Sequence, residues 1–182
     1  FETEDPYTGR AWATVARGTA DDADRAVRAA HEAFRSGEWP RITASRRGAL
    51  LRKLGDLITQ HSAHLAEIEV RDNGKLYAEM SAQTAYMAQW YHYYGGLADK
   101  IEGSVLPTDK PETFNYTRYE PLGVVAAIIP WNSPLLLMAW KLAPALAAGN
   151  TVVVKPSEFT SASALEFMKL VDWPGLEREK QG

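Results

Sequence analysis

The chain has 182 residues, of which 46% are hydrophobic and 24% are charged, a composition typical of a folded globular protein. Its formal net charge is −3 and it carries no basic stripe, which argues against nucleic acid as a partner. The sequence contains no cysteine, so these residues hold no disulfide, no zinc–cysteine site and no cysteine nucleophile. The length predicts one domain, or one domain with part of a second.

Residues 1–101 predict a short hairpin followed by helices. Within residues 1–18, the turn residues Pro6–Gly9 precede a run of β-forming residues, which indicates a β-hairpin. Thr19 is a good N-cap for the first helix, because an acidic residue follows three positions later. That helix is expected to end near Gly37.

Two longer helices are predicted next. One begins at Thr43 and carries an apolar stripe of Leu50, Leu51, Leu54, Leu57 and Ile58. We expect this helix to break at His61–Ser62, to resume with Leu65, Ile68 and Glu69, and to end at the C-cap signal of Asn73–Gly74. The other covers about 76–97, and its aromatic stripe is more typical of packing than of a cofactor site.

The segment 102–122 differs in character from the helices before it. Residues 113–119 alternate and are rich in β-forming side chains, and prolines at 107, 111 and 121 bracket them. This pattern indicates an exposed strand or hairpin, and such an edge is suited to self-association.

Residues 123–171 alternate between strand and helix patterns. The expected elements are a strand over 124–129, a helix over 135–148, a strand over 151–154 and a helix over 161–171. Ser133 and Thr160 are the expected N-caps of the two helices. Since the loops are short and the strands continuously apolar, this order predicts an α/β fold with a parallel sheet and right-handed crossovers.

The uncharged run 123–140 is long enough to resemble a membrane span. Pro130 and Pro134 interrupt it, so a buried strand and helix fit better and we expect no membrane partner. The sequence begins at Phe1 without a targeting pattern, so a cytoplasmic location is the default expectation.

Two polar loops follow the two predicted strands. Ligands of parallel sheets bind beyond the carboxyl ends of the strands, which is where both loops lie. Asn132, between two prolines and before a helix, is either a donor to a developing oxyanion or a loop asparagine that satisfies its own turn. Lys155 and Glu158 either grip a hydroxylated or phosphorylated ligand or form an exposed ion pair. A Schiff-base role for Lys155 is disfavoured, because nothing indicates the desolvated pocket that such a lysine needs.

Other catalytic and binding motifs are missing from the sequence. The glycines form neither G-x-G-x-x-G nor a P-loop. The histidines lie in the helical part, at 31, 61, 64 and 92, and His61 and His64 have no nearby third ligand, so no metal site is expected. No Ser-His-Asp set can be assembled.

Two long motifs resemble the aldehyde dehydrogenase superfamily. The first runs from Gly123 to Pro134 and the second from Trp140 to Glu158. Shorter segments agree with the resemblance at Tyr7–Gly9, Asp72–Lys75 and Arg118–Gly123. It covers about residues 1–171 and departs from the usual pattern at Leu76, where the family commonly has proline.

The resemblance implies a Rossmann-like parallel sheet with flanking helices as the NAD(P)-binding core, over 123–171. It further implies the oxidation of a small-molecule aldehyde to a carboxylic acid, with NAD or NADP as the cofactor. In the family, a cysteine attacks the carbonyl, a hydride passes to the nicotinamide and a glutamate activates water. Residues 102–122 resemble part of the arm through which family members form a homodimer or a homotetramer.

Site residues follow from the same resemblance. Asn132 corresponds to the side-chain amide that stabilises the oxyanion, and Lys155 and Glu158 correspond to the residues that hold the adenosine ribose. The nicotinamide half of the cofactor is expected along Ile128, Pro130, Trp131 and Asn132. The aldehyde tunnel is expected along Met87, Leu136 and Trp140.

The resemblance places the family's cysteine, general base and second cofactor loop downstream of Gly182. Residues 172–182 are polar and unlike the family pattern. We therefore expect an incomplete aldehyde dehydrogenase that is inactive on its own. The alternative is a non-catalytic remnant, or a nucleotide-binding or assembly module derived from that family.

Overall fold

The computed structural model describes residues 1–171, and the expected polar tail at 172–182 lies outside these residues. The strands of the described part are β1 Glu2–Asp5, β2 Arg10–Thr14, β3 Val105–Leu106, β4 Asn115–Tyr116, β5 Val124–Ile128 and β6 Thr151–Lys155. The helices are α1 Ala20–Arg35, α2 Ala44–Asn73, α3 Tyr77–Leu97, α4 Pro134–Ala147 and α5 Ala162–Val171.

The N-terminal hairpin and the cap of α1 are confirmed. Strands β1 and β2 pair antiparallel, and Gly9 closes the turn with a φ of 62°, a conformation that glycine adopts without strain. Thr19 and Asp22 form a complete capping box at the start of α1. Helix α1 lies against the sheet, where the Thr151 hydroxyl donates a hydrogen bond of 2.9 Å to the Ala30 carbonyl.

Helix α2 runs without interruption for 30 residues, so the predicted break at His61–Ser62 is wrong. The Ser62 hydroxyl donates to the Thr59 carbonyl at 3.0 Å and thereby finds a partner within the helix. Leu65 is buried one heptad after Ile58 and continues the same apolar stripe. The helix ends as predicted, with Gly74 in the left-handed region at a φ of 72°.

The segment 102–122 projects as an exposed antiparallel hairpin of β3 and β4. Each strand is only two residues long, shorter than the predicted 113–119 strand. The exposed hairpin is therefore confirmed, whereas the length of its strand was overestimated.

Strands β5 and β6, which precede and follow α4 in the sequence, pair directly with each other in parallel. This pairing confirms the α/β arrangement. The main core lies between α2, α3, α4, α5 and this sheet, and its fully buried members include Ile58, Tyr91, Leu135, Met138 and Phe167. None of the described helices is long and apolar enough to cross a membrane.

Candidate functional site

The register of the parallel pair brings the two predicted loops to one edge. Ile128 pairs with Lys155, and the Ile129 N–H donates to the Lys155 carbonyl at 3.0 Å. Because both strands end at this pair, the loop after β5 and the loop after β6 begin side by side. Asn132 on one loop and Lys155 and Glu158 on the other therefore lie at the same carboxyl edge of the sheet.

Two open clefts flank this edge. One has a volume of about 840 Å³, and its walls include Trp131, Glu158 and Phe159. The other has a volume of about 650 Å³, and its walls include Lys155 and Glu158. Glu158 lies on both, so it marks where the clefts meet. Both volumes fall within the range of small-molecule sites, about 300–1,000 Å³.

Lys155 and Glu158 form an exposed ion pair, one of the two arrangements expected from the sequence. The Lys155 Nζ lies 3.5 Å from the Glu158 Oε2, and the side chains are 64% and 65% exposed. A hydrogen bond from its own backbone N–H and the nearby Lys155 ammonium lower the pKa of Glu158, so this carboxylate is ionised at neutral pH. An exposed pair contributes little to stability, so both groups are available to a ligand.

Ile128, Pro130, Trp131 and Asn132 are all exposed along the rim of the β5 loop. Trp131 is 56% exposed, although it is a large aromatic residue. The exposed side of this loop is therefore largely apolar, with the amide of Asn132 at its end.

A relay of two hydrogen bonds, from Lys75 through Ser133, holds the backbone of Asn132. The Ser133 hydroxyl donates to the Asn132 carbonyl at 2.7 Å. The same hydroxyl accepts a hydrogen bond from the Lys75 Nζ at 3.1 Å. Ser133 occupies the predicted N-cap position of α4, but its side chain makes no capping hydrogen bond because the relay occupies it.

The N-termini of α4 and α5 are capped by acidic side chains from the end of α2 instead. The Glu69 Oε1 accepts from the Leu135 N–H at 3.3 Å, and the Asp72 Oδ2 accepts from the Ser163 N–H at 2.7 Å. Thr160 was the expected cap of α5. That expectation is wrong, since its Oγ1 is buried and has no hydrogen-bond partner among the described residues.

Both capping carboxyl groups are buried, at 1% exposure each. Burial raises the pKa of Glu69 to about 7 and also raises the pKa of Asp72. The sequence pattern places Glu69 in a helix and Asp72 in a short motif but predicts a capping role for neither. The available signal was an acidic residue, Glu69, within an otherwise apolar helical stripe.

The three expected tunnel residues occupy different environments. Trp140 is 44% exposed, and its ring lies edge-on to Trp90 with 5.6 Å between centroids. Leu136, one turn earlier on α4, is half-buried. Met87 is fully buried in the core, while the adjacent Tyr86 is exposed and contacts Trp90. The described residues contain no group of three or more histidine or acidic side chains placed to hold a metal ion.

Comparisons with known proteins agree with this architecture. A family model described as the aldehyde dehydrogenase family matches residues 1–179, and so extends past Val171, where we expected the resemblance to end. A (Z)-2-((N-methylformamido)methylene)-5-hydroxybutyrolactone dehydrogenase of Acinetobacter baylyi is 51% identical over 97% of this chain and 36% of its own length. A mitochondrial aldehyde dehydrogenase of Sus scrofa is 48% identical over 97% of this chain and 34% of its own length.

A solved structure gives the same result for the fold. The betaine aldehyde dehydrogenase of Staphylococcus aureus, in complex with NAD+, superposes with a TM-score of 0.92 at 41% identity, over 94% of this chain and 34% of that chain. The chain thus spans about a third of the length of the relatives it matches. On this sequence match and this fold, the chain belongs to the aldehyde dehydrogenase family.

Proposed function

We propose that this chain supplies the first part of an NAD(P)+-dependent enzyme that oxidises a small-molecule aldehyde to a carboxylic acid. The observation that carries the proposal is the pairing of Ile128 with Lys155, which sets the Asn132 loop beside the Lys155–Glu158 loop. One loop offers an amide donor and the other offers an ammonium and a carboxylate. Those groups suit a carbonyl oxygen and a ribose, respectively.

The residues at this edge fit a dinucleotide. The cleft of about 650 Å³ beside Lys155 and Glu158 would take the adenosine half, with the carboxylate accepting from ribose hydroxyls and the ammonium donating to them. The exposed surface of Ile128, Pro130 and Trp131 would lie along the nicotinamide half. NAD+ or NADP+ supplies the hydride acceptor when it is bound.

Asn132 would act on the aldehyde itself. Its exposed amide follows β5 and precedes the N-terminus of α4. An amide N–H donated to the carbonyl oxygen stabilises negative charge as that charge develops, and the positive end of the helix dipole favours the same charge. Asn132 would thus lower the barrier to attack on the carbonyl rather than hold the substrate.

The aldehyde would approach along α4. Leu136 and Trp140 are four residues apart on that helix and lie on one side of it, and Leu136 follows Asn132 by four residues. Met87 is fully buried, so it would shape this path by packing from the core rather than by lining it.

These assignments can be tested in a chimera. In this chimera, residues 1–171 replace the matching segment of the full-length Acinetobacter baylyi relative. Asn132→Ala should lower kcat by about 10²–10³ and leave the cofactor KM nearly unchanged. Lys155→Ala should raise the cofactor KM and leave kcat nearly unchanged, because it removes a contact made equally in the ground and transition states. If Lys155→Ala mainly lowers kcat while Asn132→Ala mainly raises the cofactor KM, the assignments are reversed.

We further propose that the hairpin 102–122 serves assembly into a homodimer or homotetramer. All of its residues are exposed in the described chain, including the large apolar side chains of Phe114 and Tyr116. Exposed apolar side chains on a strand edge are suited to contact with a second subunit. The cytoplasmic location stays a prediction.

A second candidate is a nucleotide-binding or assembly module without catalytic activity, and the 182 residues themselves hold no cysteine nucleophile. No other residue in the chain is expected to form the acyl intermediate of the family reaction. The purified chain, given several aldehydes and NAD+, should form no NADH above the buffer rate. Retained binding of NAD+ in calorimetry would then support the module, and steady NADH formation by a homogeneous sample would contradict it.

A further inference from the structure

We infer that Lys75 is a positioning residue for the Asn132 loop, acting through the hydroxyl of Ser133. The inference rests on the proposed function, because it assigns Lys75 to the support of the oxyanion donor. In the sequence, Lys75 is distinguished only as the last residue of the Asp72–Lys75 motif. Its side chain, however, reaches from the linker between α2 and α3 to the start of α4, 58 residues away in the sequence.

The directions of the hydrogen bonds are consistent along the whole relay. The Lys75 ammonium has only donors, so the Ser133 Oγ accepts from it at 3.1 Å. The hydroxyl proton of Ser133 then points to the Asn132 carbonyl, 2.7 Å away. A charged donor polarises the hydroxyl and strengthens its bond to the carbonyl. The backbone carbonyl of Asn132 is thereby held in place.

Lys75 is itself held in place. Gly74, in the left-handed conformation, turns the chain at the end of α2, and the Asn73 Oδ1 accepts from the Lys75 N–H at 2.9 Å. The backbone of Lys75 therefore has a defined origin close to the loop it supports. On the far side of Ser133, the Glu69 carboxylate holds the Leu135 N–H. Asn132 is thus tied through Ser133 to the linker that follows α2, and Leu135 is tied to Glu69 near the C-terminal end of α2.

The contact with Ser133 differs from the other contact of Lys75. Glu79, which lies 3.3 Å from the ammonium, is 48% exposed, and an exposed ion pair of this kind contributes little. Ser133 is 6% exposed, so its hydroxyl has limited access to water and depends on protein partners. Lys75 provides one of those partners and the Asn132 carbonyl provides the other.

The first test measures the mobility of the loop directly, in the 182-residue chain. Lys75→Met should lower the ¹⁵N order parameters of the Asn132 and Ser133 amides from about 0.85 towards 0.6, since the loop loses its anchor. Lys75→Arg keeps a donor and should retain most of the order. Glu79→Gln is the matched control and should change neither value. Unchanged order parameters in Lys75→Met, with a folded spectrum elsewhere, would overturn the inference.

The second test measures coupling in the chimera. Lys75→Met should lower kcat on the order of 10- to 100-fold with a nearly unchanged cofactor KM, because a misplaced donor loses transition-state stabilisation. In an Asn132→Ala background the same change should have almost no further effect. An equal loss in both backgrounds would mean that Lys75 does not act through Asn132. A wild-type kcat for Asn132→Ala alone would instead contradict the proposed function of Asn132. The order parameters would still show, independently of activity, whether Lys75 orders the loop.

Discussion

Glu69 and Leu135 lie 66 residues apart in the sequence, yet the Glu69 carboxylate caps the first turn of α4 by accepting from the Leu135 N–H. Asp72, one turn later on α2, does the same for α5 through the Ser163 N–H. The C-terminal end of one helix therefore fixes the N-termini of two others. Both capped helices begin just after the loops of the candidate site, so the caps hold the frame in which those loops sit.

The contribution of Glu69 to stability should depend on pH. Burial raises its pKa to about 7 from 4.5, so the folded chain keeps a proton that the unfolded chain releases between these values. The stabilisation is complete below pH 4.5, declines as the pH rises and is lost above about pH 7. A shift of this size corresponds to about 3 kcal/mol. The measurement is urea unfolding of the parent chain and of Glu69→Gln at several pH values. The difference between their unfolding free energies should change between pH 4.5 and about pH 7.

The Gln variant suits this comparison because its amide oxygen can still accept from Leu135 but does not titrate. Glu67→Gln, which removes an exposed carboxylate from the same helix, is the matched control for the loss of one negative charge. A pH-independent difference for Glu69→Gln as well would show that Glu69 is not the group responsible.

Loss of the second cap should destabilise the chain. Asp72→Ala leaves the buried Ser163 N–H without its partner and should lower the unfolding free energy by about 1–3 kcal/mol. Asp72→Asn keeps an oxygen acceptor and should lose less. Urea unfolding checks both, with Glu67→Ala as the exposed control. Equal losses for the two alanine variants would contradict the capping role.

Glu158 should influence the choice between NAD+ and NADP+. Its ionised carboxylate is expected near the ribose 2′ position, where it repels a 2′-phosphate. In the chimera, Glu158→Ala should raise kcat/KM for NADP+ relative to NAD+ by about tenfold, which is 1.4 kcal/mol. Glu112→Ala, on the exposed hairpin, should leave the ratio as it was. An unchanged ratio in Glu158→Ala would place the carboxylate away from the 2′ position.

The hairpin 102–122 should control assembly of the chimera. Phe114 and Tyr116 are 73% and 60% exposed and lie with 5.7 Å between their ring centroids. Phe114→Lys or Tyr116→Lys should lower the oligomer mass measured by light scattering, because a buried charge at a subunit contact is unfavourable. Thr113→Lys tests whether added charge alone has this effect. An unchanged mass with an intact circular dichroism spectrum would argue against the arm.

The strands at the site could be predicted because their signals are local. Val124–Ile128 is a continuous apolar run, Thr151–Lys155 contains the apolar run Val152–Val154, and the predicted bounds of both strands lie within one residue of the observed ones. Their pairing then follows from the short crossover. The predicted break in α2 failed for the opposite reason. Ser62 is a poor helix former by local preference, but the packing of Leu65 next to Ile58 in the core decides the outcome.

The caps and the relay were beyond sequence reasoning because their partners are distant. Nothing near Ser133 or Thr160 indicates that other residues fulfil the expected capping roles. The bonds that replace them span 66 and 91 residues, and the Lys75 contact spans 58. Such pairs become visible only when α2 is packed against α4 and α5.

The three-residue linker between α2 and α3 has a consequence for the order of folding. The hydrogen bonds of each helix join neighbouring residues and form quickly, and packing of α2 on α3 can begin at the short linker, whereas the parallel β5–β6 pair must wait for its crossover helix. The α2–α3 hairpin is therefore expected to form early and to offer Glu69 and Asp72 as docking points for later elements. Substitutions at these two carboxylates would then mainly speed unfolding and leave the folding rate nearly unchanged.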